Sequence, residues 1–319
     1  MGDKWQALGK FIGSHTPILA PICIVAGVVL APWLIGLKPF VPTLFAVMTF
    51  QGALGLRLDD VRQVARHPRN ALIVLAVLLV AMPLIAYWLA SLCFPFDRDV
   101  VLGAVIEFSQ PAAVMGFMWI GLMGGNVVMA LAVILVSSVV TPFTMPLTLS
   151  LLMGESVSMD SLGIMLDMLY MVAVPAVAGL AVNNATRGWG KRVLAPRLFT
   201  VSRLIFLFVI TTNACSMAPY LDQVTWMTLA IALFILALAV LGFVIGTVLA
   251  KLLRLPVSEL VAMGYSSGMR NISVGAVIAA TYFSGSVVFT VIMAVMYQQV
   301  LAGLYSKVLM RLGAKRDGG

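Results

Sequence analysis

Charged residues are scarce in this chain of 319 residues: Asp, Glu, Lys and Arg together make up 10% of it, whereas hydrophobic residues make up 62%. Soluble domains usually carry about 25% charged residues, so this chain cannot cover a water-facing surface of its own size. Cysteine and histidine are also rare, with three and two residues. The cysteines lie singly in or beside apolar segments, without the spacing of a metal site. The composition therefore excludes a soluble globular protein, and we predict no bound metal.

The residue groups that carry most enzyme chemistry are missing from the sequence. His15 and His67 lie at a predicted membrane edge and in a basic loop, and neither has a cysteine partner. The sequence contains no carboxylate pair and no glycine-rich phosphate loop with a lysine. We therefore predict that the protein is not an enzyme and uses no cofactor.

Long apolar runs dominate what is present. About 20 apolar residues cross a bilayer, and in hydrocarbon such a run must be helical because unpaired backbone groups find no partner there. The sequence predicts an all-α polytopic membrane protein with ten transmembrane helices and the lipid bilayer as its surroundings. The predicted spans cover residues 17–37, 40–56, 71–94, 100–123, 127–153, 164–182, 198–217, 227–249, 260–283 and 287–309.

The basic residues indicate an orientation rather than a nucleic acid partner, because they lie between the apolar runs and not on one face. Counted over the connectors, 17 Lys and Arg residues, Arg203 among them, fall on one side of the predicted bilayer. Only Lys38 and Arg98 fall on the other side. With an even number of spans, this predicts a multi-pass protein of a bacterial inner membrane with both termini in the cytoplasm.

The two halves of the chain resemble each other at an offset of 160 residues. Residues 101–140 can be laid over residues 261–300, so that the sequence Gly-Asn-Val-Val at Gly125 meets Gly-Ser-Val-Val at Gly285. Five predicted spans separate equivalent positions, and an odd number inverts the second half relative to the first. We therefore predict an inverted five-plus-five repeat, with residues 1–153 as the first half and residues 154–319 as the second.

Helix breakers interrupt the fourth and ninth predicted spans at matching places. Pro111 removes a backbone hydrogen bond from the fourth span, and Gly268 and Asn271 flank Arg270 in the ninth. Paired interruptions in two repeats are a pointer to a binding site, because freed amides and carbonyls near the midplane can contact a ligand. The pattern favours a site where the two broken helices cross.

Three charged residues fall well inside spans: Glu107, Asp167 and Arg270. Each costs roughly 2.5 to 3.5 kcal/mol at a helix centre, so each should face protein or water. Asp167 lies near the predicted outer end of its span, where we expect it to be solvated. Glu107 and Arg270 could form a buried pair that fixes the helix crossing, or Arg270 could present its donors to an anionic substrate while Glu107 balances its charge. The sequence leaves both readings open.

Polar residues cluster on the same broken helices and on the last span. Any one hydroxyl could merely satisfy its own helix backbone, so only the cluster as a whole indicates a site. We predict that a small organic anion binds to residues from this set: Glu107, Ser109, Gln110, Pro111, Ser266, Ser267, Arg270, Asn271 and Gln298.

With ten spans, inverted repeats, a proline-broken fourth helix and the sequence Gly-Met-Arg-Asn at Gly268 to Asn271, the chain resembles the bile acid:sodium symporter family over nearly its full length. The resemblance implies a core formed by residues 71–153 and 227–311, in which broken helices 4 and 9 cross. It implies a panel formed by residues 17–56 and 164–217. Members similar to this chain move organic anions by alternating access.

The chain departs from the family where sodium would bind. Sodium-coupled members resemble Glu-x-Gly-x-Gln-Asn in the ninth helix, and here Ser266 and Arg270 occupy the Glu and Gln places, while Gly268 and Asn271 agree. A hard cation needs several oxygen ligands. The other expected ligand positions fall on Leu78, Gly116, Phe117, Ala130 and Ile134.

We therefore hypothesise that the guanidinium of Arg270 replaces a bound cation, and that transport is not coupled to sodium. Two alternatives stay open: a sodium-coupled bile-acid-type symporter with altered ion sites, and a membrane sensor that binds a ligand without moving it. The sequence indicates neither the substrate, the direction of transport nor the oligomeric state.

Overall fold

The chain is mostly helical in the part that the computed structural model describes, residues 2–66, 68–154, 160–221 and 225–314. Within those ranges the single β pairing is an isolated antiparallel bridge between Ala112 and Arg270. His67, and Lys315 and Arg316 from the basic residues counted above, lie outside the described residues. The all-α fold class is therefore confirmed for the described part of the chain.

The described residues of the first half form nine α-helices, joined by short turns, one 3₁₀ segment (Ile35–Phe40) and one π-helical turn (Val77–Ala81). The α-helices are α1 (Gly2–Val29), α2 (Ala31–Leu34), α3 (Val41–Ala53), α4 (Leu58–Arg66), α5 (Arg69–Ala76), α6 (Met82–Cys93), α7 (Arg98–Phe108), α8 (Val114–Leu122) and α9 (Val127–Met153).

The second half has the same character, with π-helical turns at Leu169–Ala173 and Gly190–Leu194 and a 3₁₀ turn at Cys215–Met217. Its α-helices are α10 (Ser161–Met168), α11 (Val174–Ala185), α12 (Ala195–Ala214), α13 (Ala218–Leu221), α14 (Trp226–Leu252), α15 (Val257–Gly268), α16 (Ile272–Tyr282) and α17 (Gly285–Ala314).

Seven helical stretches among the described residues are long and apolar enough to cross a membrane, and the bent helix α1 makes an eighth if it crosses as one span. The protein is therefore a multi-pass membrane protein. Each of the pairs α7–α8 and α15–α16 covers one predicted span, but its two helices are individually shorter than a bilayer crossing. The count of ten spans stays a prediction. The seven stretches are Ala31–Ala53, Arg69–Cys93, Val127–Met153, Ser161–Ala185, Gly190–Met217, Trp226–Leu252 and Gly285–Met310.

Two helical segments were not expected from hydropathy. Helix α1 already begins at Gly2, well before the predicted start of the first span, and α4 lies in a stretch predicted as a connector. Helix α4 has Asp59 and Asp60 in its first turn and Arg66 in its last, an arrangement that the helix dipole favours. These segments are too polar to be recognised from apolar runs, so hydropathy does not predict them.

Glycine allows α1 and α12 to pack closely side by side. A Cβ atom on Gly9 would lie 2.5 Å from Thr200 Oγ1, and one on Gly27 would lie 2.1 Å from the carbonyl oxygen of Thr211. Residue order along both helices is the same at these contacts, so the helices run parallel. Close approach of this kind through small residues is typical of helix packing in membranes.

Candidate functional site

The two helix breaks lie against each other and exchange backbone hydrogen bonds. Ala113 N donates to the Met269 carbonyl oxygen at 3.1 Å, and Asn271 N donates to the Pro111 carbonyl oxygen at 2.8 Å. These two bonds form the antiparallel bridge between Ala112 and Arg270. The non-helical backbone of one break is thus hydrogen-bonded to that of the other. Non-helical backbone within a membrane span needs such partners, because lipid offers none.

The remaining amides at the breaks also have acceptors. Ala112 N donates to Ser137 Oγ at 3.1 Å, and Arg270 N donates to Gln298 Oε1 at 2.8 Å. Met269 N still donates to Tyr265 in its own helix at 2.9 Å. Pro111 has no amide to satisfy. Residues 111–113 and 269–271 therefore contain no unpaired backbone donor. Of the two breaks, only the one at Pro111 contains a proline.

Carboxylates at the starts of α7 and α15 fix the far ends of the broken helices. Asp99 accepts hydrogen bonds from Ser286 Oγ and from Ser284 Oγ. Glu259 accepts one from Asn126 Nδ2 at 2.6 Å and another from Asn70 Nδ2 at 3.3 Å. Asp99 and Glu259 are 160 residues apart in the chain, and so are Asn126 and Ser286. The same type of contact is therefore made twice, at positions related by the sequence offset.

The guanidinium of Arg270 is buried behind the crossing, with only 2% of the residue exposed. Its Nη1 donates to the carbonyl oxygen of Leu78 at 3.3 Å, and its Cζ lies 6.0 Å from the ring centroid of Phe108. Leu78 lies in the π-helical turn, where Met82 N donates to Val77. Pro83, the next residue, has no N–H. The Leu78 carbonyl is therefore left without these helical donors and is free to accept from Arg270.

Glu107 is 1% exposed and lies near enough to Arg270 to interact with it electrostatically. The two side chains are nevertheless not among the ion pairs formed by the described residues, which join Asp59 to Arg57 and Arg62 on the surface. Glu107 Oε2 and both Nε and Nη2 of Arg270 are buried without a hydrogen-bond partner. The predicted buried pair is thus a carboxyl group and a guanidinium that lie near each other without an ion pair, and these three atoms are unsatisfied.

A cavity of about 150 Å³ lies in front of the crossing. On one side it is bounded by the helix breaks, α9 and α17, and on the other by α1, α3 and α12. None of the described residues that line it is Asp or Glu. Its lining consists of Thr16, Phe45, Met48, Thr49, Gln51, Gly52, Ala113, Val114, Met115, Ser138, Ser202, Arg203, Phe206, Arg270, Asn271, Ile272, Ser273, Val295, Gln298 and Gln299.

Two helices begin at this cavity. Val114 and Met115 are the first residues of α8, Ile272 and Ser273 are the first residues of α16, and all four line the cavity. The first amides of a helix have no partner within the helix, and they carry a positive partial charge. Both helix ends therefore favour an anion in the cavity.

A second cation, Arg203, also lines the cavity. The count of basic residues in the connectors includes Arg203, but Arg203 lies inside α12. Its Nη2 approaches the sulfur of Met115 at 3.1 Å, and its Cζ lies 4.9 Å from the ring centroid of Phe199. Its position inside a predicted span was the signal that could have drawn attention to it.

The predicted site residues divide into two groups. Arg270, Asn271 and Gln298 line the cavity. The others are buried but do not belong to the lining: Glu107, Ser109, Gln110, Pro111, Ser266 and Ser267. The role of the whole set in binding stays a prediction.

Hydrogen bonds tie the far end of α16 to its neighbours. Lys38 Nζ donates to the Ala280 carbonyl oxygen at 2.6 Å. Tyr282 OH donates to Asp167 Oδ2 at 2.7 Å, so Asp167 has a protein partner in addition to any contact with solvent. These bonds lie at the opposite end of α16 from the cavity.

Comparison with known proteins identifies the family. A family model described as the Sodium Bile acid symporter family matches residues 41–223, more than half of the chain. The chain belongs to this family. The resemblance drawn from the sequence is thereby confirmed.

Relatives within this family extend the similarity to nearly the whole chain. YbaS of Bacillus subtilis, described as an uncharacterized protein, is 32% identical over 299 residues, which cover 94% of this chain and 98% of YbaS. YocS of the same organism, an uncharacterized sodium-dependent transporter, is 22% identical over 88% of this chain and 86% of its own length. BASS1 of Arabidopsis thaliana, a probable sodium/metabolite cotransporter of the chloroplast, is 22% identical over 88% of this chain and 69% of its own length.

Proposed function

We propose that this protein is a secondary transporter of small organic anions that works by alternating access. The observation that carries the proposal is the cavity onto which the N-termini of α8 and α16 open. Two helix N-termini, together with lining residues that include no carboxylate in the described part of the chain, form a site that favours negative charge. Membership in the sodium bile acid symporter family supports transport of a small molecule.

The proposed architecture is an inverted repeat with a core and a panel. The contacts of Asp99 with Ser286 and of Glu259 with Asn126 support it, because an inverted repeat places equivalent contacts at opposite faces of the membrane. The helices that bound the cavity on its two sides belong to the core and to the panel that the family resemblance implies. The protein would move substrate by a shift of the core against the panel.

The structure corresponds to an inward-facing state in this proposal. In the predicted orientation the cavity lies toward the cytoplasm, and the bonds from Lys38 to Ala280 and from Tyr282 to Asp167 lie toward the outer side. Each of these bonds joins the proposed panel to the end of the ninth span in the proposed core. Both would break when the outer side opens.

We further propose that Arg270 supplies a fixed positive charge where relatives named as sodium-dependent would bind a cation. The guanidinium lies at the crossing of the two broken helices and donates to Leu78, the residue that occupies an expected ligand position in the third helix. Arginine stays charged in proteins and carries five donors, so it can occupy such a place permanently. Transport then needs no sodium.

Coupling to sodium through altered ion sites is the competing proposal. The printed names of YocS and BASS1, which describe sodium-dependent transport, favour it. The lack of a cluster of metal-binding side chains among the described residues does not decide between the two, because sodium sites use carbonyl and hydroxyl oxygens as well.

Replacing sodium tests the proposal. Thermal unfolding of the protein in lipid nanodiscs is measured against a panel of carboxylates and sulfonates, in sodium chloride and in choline chloride. The anion with the largest shift is then used for uptake into proteoliposomes. We expect the same uptake in both salts, and an uptake that requires sodium would refute the fixed-cation proposal. Binding without uptake or exchange would favour the sensor instead.

A further inference from the structure

Arg203 is a cation without an anionic partner in the part of the chain that the structure describes. Its contacts are the sulfur of Met115 and the ring of Phe199, and thioether sulfur is a weak acceptor. It is half-buried, so its charge is only partly solvated. A guanidinium in such surroundings gains free energy when a carboxylate or sulfonate replaces the sulfur as acceptor, because charge-assisted hydrogen bonds are roughly twice as strong as neutral ones.

The other arginine of the cavity is already engaged. Arg270 is 2% exposed, and its Nη1 is directed to the Leu78 carbonyl behind the crossing, with Glu107 close by. Arg203 has neither a carboxylate neighbour nor such an enclosure. Of the two guanidinium groups, Arg203 is therefore the one that an anion entering the cavity can reach.

The surroundings of Arg203 define the rest of the ligand. Apolar side chains form one part of the lining, and the side-chain amide of Asn271, which makes no capping hydrogen bond, lies where α16 begins. A molecule that carries one charged end and an apolar body fits this division. The apolar lining residues are Phe45, Met48, Val114, Met115, Phe206 and Val295.

We propose that Arg203 binds the acidic group of the transported substrate, and that the substrate class is small organic monoanions with an apolar body. The assignment rests on the proposed transport function and deepens it. Arg203 belongs to α12, whereas the helix N-termini at the cavity belong to α8 and α16. An anion bound between them joins the two sides of the cavity, and binding exchanges the Met115 contact of Arg203 for a bidentate one.

Binding of charge-matched probes tests the assignment. The probes are phenylacetate, hexanoate and benzenesulfonate, each with its neutral amide, and isothermal titration calorimetry in nanodiscs measures the affinities. We expect at least one acid to bind at least tenfold more tightly than its amide. Arg203→Gln should abolish that preference, and Arg203→Lys should retain part of it because lysine keeps the charge and loses the bidentate geometry.

Arg62→Gln is the matched control. Arg62 has a side chain that is 70% exposed and lies on α4, away from the cavity, so its removal should leave the affinities unchanged. Arg203→Gln with the affinity of the wild type, or equal binding of all acids and amides to the wild type, overturns the assignment. The Lys variant keeps the result interpretable if the Gln variant does not fold.

Exchange of the same acid across proteoliposomes separates this inference from the transport proposal. Binding that depends on Arg203 without any exchange supports the binding assignment and refutes transport. Exchange that is unaffected by Arg203→Gln supports transport and refutes the assignment.

Discussion

Arg270 Nη1 donates a hydrogen bond to the carbonyl oxygen of Leu78 at 3.3 Å. This contact joins the second helix break to the π-helical turn in the third predicted span. It depends on Pro83, which has no N–H. In another residue, that N–H could donate to the Leu78 carbonyl and compete with Arg270. The π-helical turn thus leaves the Leu78 carbonyl free to accept a hydrogen bond from Arg270.

Removal of the buried charge should destabilise the protein. Arg270→Gln leaves Glu107 buried without a nearby guanidinium and removes the donor to the Leu78 carbonyl, and a buried acceptor left unsatisfied costs about 1–3 kcal/mol. We expect a loss of this size in the free energy of unfolding, measured by denaturant titration in micelles. The double variant Glu107→Gln/Arg270→Gln should recover part of the loss. A double variant that is less stable than the sum of the single variants would contradict this interpretation.

Replacement of Pro83 should act on the same contact more mildly. In Pro83→Ala the new backbone amide can donate within the helix, so the π-helical turn relaxes and the Leu78 carbonyl loses its preference for Arg270. One neutral hydrogen bond contributes about 0.5–1.5 kcal/mol, and we expect a stability change no larger than that, together with slower anion exchange. Pro146→Ala in α9 serves as a control for loss of a helical proline. An equal loss of exchange in both variants would argue against a specific effect at Leu78.

The two carboxylate contacts should be worth similar amounts. Asp99→Asn and Glu259→Gln each weaken hydrogen bonds to a charged group, which contribute about 1.5–3 kcal/mol, and the offset of 160 residues makes the two positions equivalent. Asp59→Asn is the control, because Asp59 makes ion pairs only on the exposed surface, where such pairs contribute about 0–1 kcal/mol. Unfolding by denaturant measures all three. A large effect at Asp99 with none at Glu259 would weaken the argument for the repeat.

Loss of the hydrogen bond from Tyr282 to Asp167 should open the proposed outer side. We expect Tyr282→Phe to shift the equilibrium toward the outward-facing state by about 10- to 150-fold, since a hydrogen bond to a carboxylate contributes about 1.5–3 kcal/mol. A cysteine placed at Ser273 in a cysteine-free background reports the shift through its reaction with an impermeant thiol reagent added outside. Tyr87→Phe is the control, because the ring of Tyr87 packs against Trp88 away from α16. An unchanged reaction rate would refute the role of this bond as a closure.

The breaks in the membrane helices were predictable from the sequence, and their partners were not. Pro111 cannot donate a backbone hydrogen bond, so an interruption of the fourth span follows from its identity alone. The break around Arg270 contains no proline, and its prediction depended on neighbouring glycines such as Gly268 and on the matching place in the repeat. The acceptors that complete the picture, the Leu78 carbonyl and Ser137 Oγ, depend on tertiary packing. The sequence shows only that Pro83 leaves a carbonyl oxygen in its helix without a donor, and not which side chain that oxygen contacts.

Arg203 shows how a charge count can hide a site residue. The rule for orientation counts Lys and Arg residues near the ends of spans with the loops, and Arg203 was counted in this way although it is the sixth residue of the predicted span 198–217. Its contact with Met115, which lies in α8, brings it to the cavity instead. Whether Arg203 is a loop residue or a cavity residue is decided by its distance from Met115 in the folded chain, which the sequence alone does not give.

The short antiparallel bridge between Ala112 and Arg270 has a consequence for motion. Interrupted helices are natural hinges, but here the backbone amides of residues 112, 113 and 269–271 all have acceptors, and two of those bonds join one interruption to the other. Bending at either point would break bonds at both. Deuterium uptake at Ala113 and Asn271 should therefore be among the slowest in the protein, and the crossing would travel as an undeformed unit while the surrounding interfaces slide.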